Sequence, residues 1–284
     1  MKILVIGASG MIGSTVLRVL CENSSWKVWG TVRNGDVRRY FPTTTAGSLI
    51  DSVDVKNWDC VTRVFEETRP DVVINCAGLT KHKARSDDPL QALPINALMP
   101  HRMANLCRLM GARFVHVSTD CVFSGAKGAY RETDFADARD VYGKSKVLGE
   151  VVDGGAVTLR TSTIGHELQT QYGLLEWFLS QGARCKGYTK AIFSGLPSVL
   201  FAQVIRDVVI PNQNLTGLYH VAAQPIDKFT LLQLIAKAYD KTIEIEPDGG
   251  LVIDRSLDSE RFREETGYVA PSWTEMIKLM RAYG

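Results

Sequence analysis

The chain is short of the features that would mark it as secreted, membrane-spanning, metal-dependent or nucleic-acid-binding. It has only six cysteines in 284 residues, at positions 21, 60, 76, 107, 121 and 185, scattered through apolar segments with no C-x-x-C spacing. That pattern excludes a zinc ribbon or a dithiol redox pair and fits reduced thiols. Lysine and arginine number 33 against 31 acidic residues, with no long basic run, so neither nucleic acid nor an anionic membrane is an expected partner. No stretch reaches the ~20 apolar residues of a membrane span. The opening "MKILVIGASGMIG" meets a glycine turn too early to be a signal peptide, which makes the cytoplasm the expected address. His82, His116 and His166 have no metal-ligand spacing, so no metal is expected. Internal repeats and low-complexity segments are absent as well. What remains is a chain with 45% hydrophobic residues, large enough to bury one sizeable core or two coupled ones. Its natural partner is a small molecule, and among macromolecules only a second copy of itself, as a homodimer, is left open.

Short β-branched runs recur through the first half: "KILVIG", "KVWGTV", "LIDSVDV", "DVVINCAG", "RFVHVSTD" and "AVTLRT". Each reads as a buried strand. Helical periodicity separates them, over Met11 to Cys21, Trp58 to Thr68, Leu90 to Met110 and Val141 to Val152. Alternation of this kind predicts an α/β fold, a doubly wound parallel sheet of Rossmann type. The expected organisation is a dinucleotide-binding domain over 1–162 and a smaller α/β substrate lobe over 163–284, with part of 196–222 packing back on the first domain. In that lobe "LLEWFLSQ", "VLFAQVIRDVVI" and "FTLLQLIAKAY" read as helices, and only "GLYHVA" and "IEIEP" as strands. The sharpest breaks are "GARCKGYTKAIFSGLP" and "PDGGL". Trp177 and Phe178 form a stripe expected to pack into the core.

The first strand runs into "GASGMIG", which sets Gly7, Gly10 and Gly13 at G-x-x-G-x-x-G spacing before a helix. Gly7 permits the turn, Gly10 lets a pyrophosphate approach the backbone, and Gly13 lets helix pack on strand. The helix N-terminus faces the negative charge, and Ser9, Met11 and Ile12 join the glycines as cofactor-binding candidates. After the second strand an acid would mark NAD(H), but Arg33 stands there, and a guanidinium suits the 2′-phosphate of NADP(H). NADP(H) is therefore preferred and NAD(H) kept as the alternative, with Asp36 then facing the ribose. Asp54 and Val55, expected to close the third strand, would border the adenine. Cys76, Ala77 and Gly78 would meet the cofactor at the end of the fourth, with Thr80 beyond them toward the substrate.

In "DVYGKSKVLGE", Tyr142 and Lys146 are four apart and share one helical face. An ammonium beside a phenol lowers the tyrosine's pKa and suits it to proton transfer. Upstream, "VHVSTDCVFSG" brings Ser118 and Thr119 to the carboxyl edge of the sheet, where a hydroxyl can polarise a substrate carbonyl. Y-x-x-x-K alone is a common accident. Glycine cradle, strand-end hydroxyl and Y-x-x-x-K in this order are much more specific.

With "GASGMIG", "NCAG", "STDCVFSG", "YGKSKVLGE", "LRTSTIG" and "DRSLDSERFREETGY", the sequence resembles the extended short-chain dehydrogenase/reductase superfamily, and within it the dTDP-4-dehydrorhamnose reductase group. The resemblance spans nearly the whole chain. It implies Thr119 as the carbonyl-polarising group, Tyr142 as proton donor and Lys146 as its partner, with Ser118, Tyr142 and Lys146 also touching the cofactor. The implied reaction is hydride transfer from NADPH to the keto carbon of a nucleotide-linked 4-keto-6-deoxy sugar, in the synthesis of deoxysugar and polysaccharide precursors. Cys121 stands where the group typically has tyrosine, and Thr163 where it has an aromatic. Both positions border the sugar, so the departures bear on which sugar is used. Lys190 and Arg255 are the candidates for the substrate diphosphate. Two other functions remain: a non-catalytic NADP-binding regulatory subunit, and an epimerase holding NAD.

Overall fold

The computed structural model describes residues 1–80 and 87–284, which leaves His82 outside the described residues. The chain forms two compact units, one of residues 1–118, 139–159 and 202–218, the other of 119–138, 160–201 and 219–284. The first unit takes in 202–218, inside the 196–222 segment expected to pack back, while 119–138 and 160–162 group with the second. Residues 119–138 fall in the second unit because Tyr130, stacked on the fully buried Phe123 with centroids 4.0 Å apart, donates its amide to the Ser256 carbonyl and accepts the Asp258 amide, each at 2.8 Å. Isolated aromatics in a loop leave no periodic signal, so the strand and helix patterns pass over them.

The first unit is built on β1 (Lys2–Ile6), β2 (Lys27–Thr31), β3 (Leu49–Ile50), β4 (Val72–Asn75), β5 (Arg113–Thr119) and β6 (Val157–Thr161). The sheet runs Gly217–His220, β6, β5, β4, β1, β2, β3, the last residues of β5, β6 and the edge strand passing into the second unit. β1 pairs in parallel with β2 and β4. Successive crossovers thus leave in opposite directions from β1, and the crevice between the ends of β1 and β4 is the switch point where doubly wound folds bind ligands. One face is closed by a core of Leu4, Ile6, Val64, Phe65, Met103 and Phe114 among others.

Three sequence expectations in this unit need correction. β3 stops at Ile50, because Ser52 turns left-handed at φ 59° and breaks the strand. Asp54 and Val55 therefore lie in the loop beyond it, where Asp54 accepts the Lys56 amide at 3.0 Å. The long helix begins at Pro89 and passes through a π-helical turn, Leu93–Leu98, before Met99–Met110. Pro100 has no N–H to offer the carbonyl of Asn96 four residues earlier, a local cause for the widened turn. The helix expected to reach Val152 ends at Leu148. There a Cβ on Gly149 would stand 1.8 Å from the Asn96 carbonyl oxygen, so glycine seats this helix on the π-helical turn.

The later segment of the first unit contains a second π-helical turn, Ile205–Val209, that continues Ser198–Val204. Arg113 holds it to the sheet by donating to the carbonyls of Val209 at 2.5 Å, Ile210 at 3.3 Å and Leu215 at 2.9 Å.

The second unit has more strand than its sequence suggested. Arg184–Tyr188, Ala191–Phe193 and Leu196–Pro197 fill the segment that reads as a break. Arg184–Tyr188 pairs in parallel with Glu244–Asp248, and Ala191–Phe193 pairs antiparallel with Ile226–Asp227 and parallel with Ile253–Asp254. These strands are two to five residues long, below the length at which alternation can be read. They surround Leu175, Phe178, Leu231, Ile235, Ile277 and Met280. Phe178 is fully buried as expected, whereas Trp177 is 38% exposed. Helices also form over Glu260–Thr266 and over Trp273–Tyr283, the latter opened by a Ser272/Glu275 capping box. None of the six cysteines forms a disulfide, and no described helix is long and apolar enough to cross a membrane.

Two glycines give opposite expectations. Gly149→Ala forces its helix off the π-helical turn and costs about 1–3 kcal/mol in denaturant unfolding. Gly47 has nothing within 4 Å of a built Cβ and sits at φ −65°, ψ −19°, so Gly47→Ala gains about 0.4–1 kcal/mol by restricting the unfolded chain.

Candidate active site

The glycine turn after β1 and the loop after β4 meet at the switch point. A Cβ on Gly7, whose φ is +84°, would lie 2.8 Å from the Ala77 Cα, and one on Gly13 would lie 2.2 Å from the Gly7 carbonyl oxygen. Both are therefore demanded by the chain's own packing. Gly10 differs: its built Cβ finds only the Gly7 oxygen, at an ordinary 3.6 Å. Nothing inside the protein requires glycine there, but a ligand approaching the exposed backbone would. Gly10 is also the N-cap of α1 (Met11–Cys21), which has neither a side-chain cap nor an acid in its first turn. That leaves an uncompensated positive helix end, suited to phosphate. Thr31, at the end of β2, holds the turn by accepting from Gly7 N at 3.1 Å through its hydroxyl and from Ala8 N at 2.9 Å through its carbonyl.

Arg33 lies two residues beyond the end of β2 and is exposed. Its guanidinium makes no hydrogen bond to any described residue, whereas Arg38 is occupied by the Ala46 and Leu49 carbonyls and by Asp51. Asp36 is tied to the Asn34 side-chain amide at 2.9 Å. Of the two sequence candidates for the ribose end, Arg33 is the one left open to a ligand. Ser9, Met11 and Ile12 are partly exposed in or beside the turn, and so are Cys76, Ala77 and Gly78 on the facing loop. Thr80, next along, is exposed.

Tyr142 and Lys146 lie on the Val141–Leu148 helix, whose N-terminus is capped by Asp140 through the Gly143 amide at 2.6 Å. Tyr142 is partly exposed. Lys146 is 5% exposed, and its Nζ donates to the Val117 carbonyl at 2.8 Å. Burial pulls its pKa down to about 8 against the opposing pull of Glu150 and Cys76. Burial likewise pushes the Cys76 thiol up to about 12, which keeps it neutral. Ser118 donates to Glu150 Oε1 at 2.7 Å.

Sequence reasoning missed four buried or partly buried groups around this lysine: Asn75, Asn96, His116 and Glu150. Asn96 sits on the π-helical turn, donates to the Leu79 carbonyl and to Ser145 Oγ, each at 3.0 Å, and accepts the Leu79 amide at 2.8 Å. It ties the loop after β4 to the tyrosine helix. The available signal was an asparagine on the buried side of a helical pattern, between Pro94 and Pro100.

In the second unit, Thr119 caps the 120–122 turn by accepting the Cys121 amide at 3.1 Å and donates to Asp120 at 3.2 Å. Arg255 reaches the same turn, with Nε donating to the Phe123 carbonyl at 2.8 Å and Nη1 lying 3.8 Å from Cys121 Sγ. Two substrate candidates are thereby neighbours. Thr163 is partly exposed on a two-residue strand paired with Leu196–Pro197, and Lys190 is exposed at a turn between strands.

A family model described as "RmlD substrate binding domain" matches residues 1–177. A dTDP-4-dehydrorhamnose reductase of Aggregatibacter actinomycetemcomitans is 22% identical over 99% of both chains. A probable low-salt glycan biosynthesis reductase of Haloferax volcanii is 30% identical over 78% of this chain and 74% of its own. A methionine adenosyltransferase 2 subunit beta of Xenopus laevis is 26% identical over 84% and 72%. The fold matches the crystal structure of a Bacillus anthracis dTDP-4-dehydrorhamnose reductase in complex with NADP, with a TM-score of 0.81 at 21% identity over 99% of this chain and 98% of that one. The class is that of NAD(P)-dependent oxidoreductases with the extended short-chain dehydrogenase/reductase fold. Within that class, the chain belongs to the RmlD substrate-binding-domain family.

The three cradle glycines separate packing from binding. Gly13→Ala is expected to unfold the protein at lower denaturant, whereas Gly10→Ala keeps its unfolding midpoint and loses about tenfold or more in affinity for the nicotinamide dinucleotide, read by fluorescence titration.

Proposed function

We propose that the chain is an NADPH-dependent reductase of a nucleotide-linked 4-keto-6-deoxy sugar. The observation that carries this reading is the buried Lys146, its amine turned to the end of β5 and its helix also bearing Tyr142. Burying an amine costs free energy that hydrogen bonding only partly offsets, and an amine kept buried with a shifted pKa marks a functional-site candidate. Support for the substrate class comes from the relatives named as reductases, one of them a dTDP-4-dehydrorhamnose reductase.

When bound, the reduced nicotinamide supplies the hydride. The chain's residues do the remaining work. The α1 N-terminus and the Gly10 backbone hold the pyrophosphate, and Arg33 pairs with a 2′-phosphate. Ser118 and the Cys76–Gly78 backbone border the nicotinamide half. Thr119 turns its one hydroxyl hydrogen from Asp120 to the keto oxygen, which gains charge as the carbon is reduced. Tyr142 then transfers its phenolic proton to that oxygen, its O–H bond breaking as the new hydroxyl forms, and the positive charge on Lys146 stabilises the resulting phenolate. Lys190 and Arg255 are the candidates for the substrate diphosphate, and Thr80, Cys121 and Thr163 for contact with the substrate.

The test is consumption of NADPH against a panel of dTDP-, UDP- and GDP-linked 4-ketosugars. Turnover with at least one is expected, and cofactor binding without turnover on any would favour a regulatory subunit instead. Tyr142→Phe should lower kcat by roughly 10² or more, and equal turnover in that variant would remove the tyrosine from the mechanism. Arg33→Ala should weaken NADPH by about tenfold while leaving NADH unaffected; equal losses for both would mean that the arginine does not read the 2′-phosphate.

A further inference from the structure

Beside Lys146, at the end of β5, lies a histidine that the proposed mechanism does not use. His116 is fully buried, as is Asn75 on β4. The orientation of Asn75 is fixed by its own chain, since Oδ1 accepts the Ala77 amide at 3.1 Å. Its Nδ2 therefore faces His116 Nδ1, 3.0 Å away. An amide nitrogen only donates, so Nδ1 must carry the lone pair and the ring hydrogen must sit on Nε2. The charged form of the ring is disfavoured by burial first, then by Lys146 and His101, which hold its pKa well below the ordinary value.

Nε2 lies 3.5 Å from Lys146 Nζ. An ammonium has only hydrogens to offer, so the charged lysine sets donor against donor across this gap. A neutral amine instead accepts from Nε2–H and still donates to the Val117 carbonyl. Glu150, whose carboxylate favours the charged form, and the Cys76 thiol, which is neutral at physiological pH, also act on Lys146, and the Tyr142 phenol lies four residues before it on the same helix.

We propose that His116 is a positioning residue that acts through Lys146: held by Asn75 as the Nε2–H tautomer, it offsets the carboxylate of Glu150 and lets the ammonium return a proton to the Tyr142 phenolate left by reduction, the resulting amine then taking a proton from solvent. The geometry stands whatever the substrate, while the consequence for turnover rests on the reductase reading.

The test is made on the substrate-free protein. With lysine carrying ¹³C at Cε, and the Lys146 signal assigned by its loss in Lys146→Met, the wild-type titration midpoint should fall near 8. His116→Asn keeps an acceptor for Asn75 and removes Nε2–H, and His116→Gln places an amide oxygen toward Nζ. Both should raise the midpoint, the second by roughly one pH unit. Unchanged midpoints in both variants would overturn the proposal. A wild-type measurement guards against misfolded variants: ¹⁵N-labelled histidine should show Nε2–H with a bare Nδ1 for His116, and a Nδ1–H or imidazolium signal would overturn the proposal. If the reductase reading holds, the alkaline limb of kcat/KM shifts upward by the same interval in His116→Gln. A shifted midpoint without any turnover would leave His116 in its role and remove the reductase reading alone.

Discussion

The close approach of two backbones, at Gly7 and Ala77, is the constraint on which the first unit depends. The turns that follow β1 and β4 can touch only because Gly7 has no side chain and adopts a left-handed conformation. Their contact closes the crevice floor, aims the N-terminus of α1 outward past Gly10, and places Asn75 where its amide is locked by the Ala77 N–H. The glycine turn and the polar cluster under Lys146 thus share one piece of backbone.

That shared origin gives the cluster its character. Asn75, His116 and Lys146 are buried polar groups, each costly unless satisfied. They are satisfied in series: the Ala77 amide fixes Asn75, Asn75 fixes the imidazole, and the imidazole faces the amine. On the other side, Asn96 uses both amide hydrogens and its oxygen to bind the loop after β4 to Ser145. A π-helical turn and a glycine at 149 let that asparagine come close enough. Rigidity here comes from hydrogen-bond arithmetic more than from apolar packing.

Most of the first unit was legible in the sequence, because buried parallel strands and amphipathic helices of ten or more residues leave strong periodic signals. Met11–Cys21 and Trp58–Thr68 were read to the residue. The glycine spacing and the Tyr142–Lys146 pair were legible for the same reason, since their roles depend on spacing along one element. The failures follow from physics that spacing does not encode. Ser52 ends β3 by a backbone choice open to few non-glycine residues. Asn75, His116 and Asn96 act through partners 17 to 49 residues away in the chain. In the second unit, strands of two to five residues are specified by pairing with distant segments, and their local composition resembles loops.

Arg113 has a consequence of a different order. By gripping three carbonyls between 209 and 215 it makes the return of the polypeptide to the first unit a structural obligation. Truncating the chain after β6 would strip that guanidinium of its three carbonyl acceptors and uncover the sheet edge it secures. A shortened dinucleotide-binding fragment is therefore a poor candidate for independent expression. Recombination that trades one sugar-binding specificity for another would have to exchange interior cassettes and preserve the re-entrant segment, which favours divergence by insertion and point change over the swapping of a terminal module.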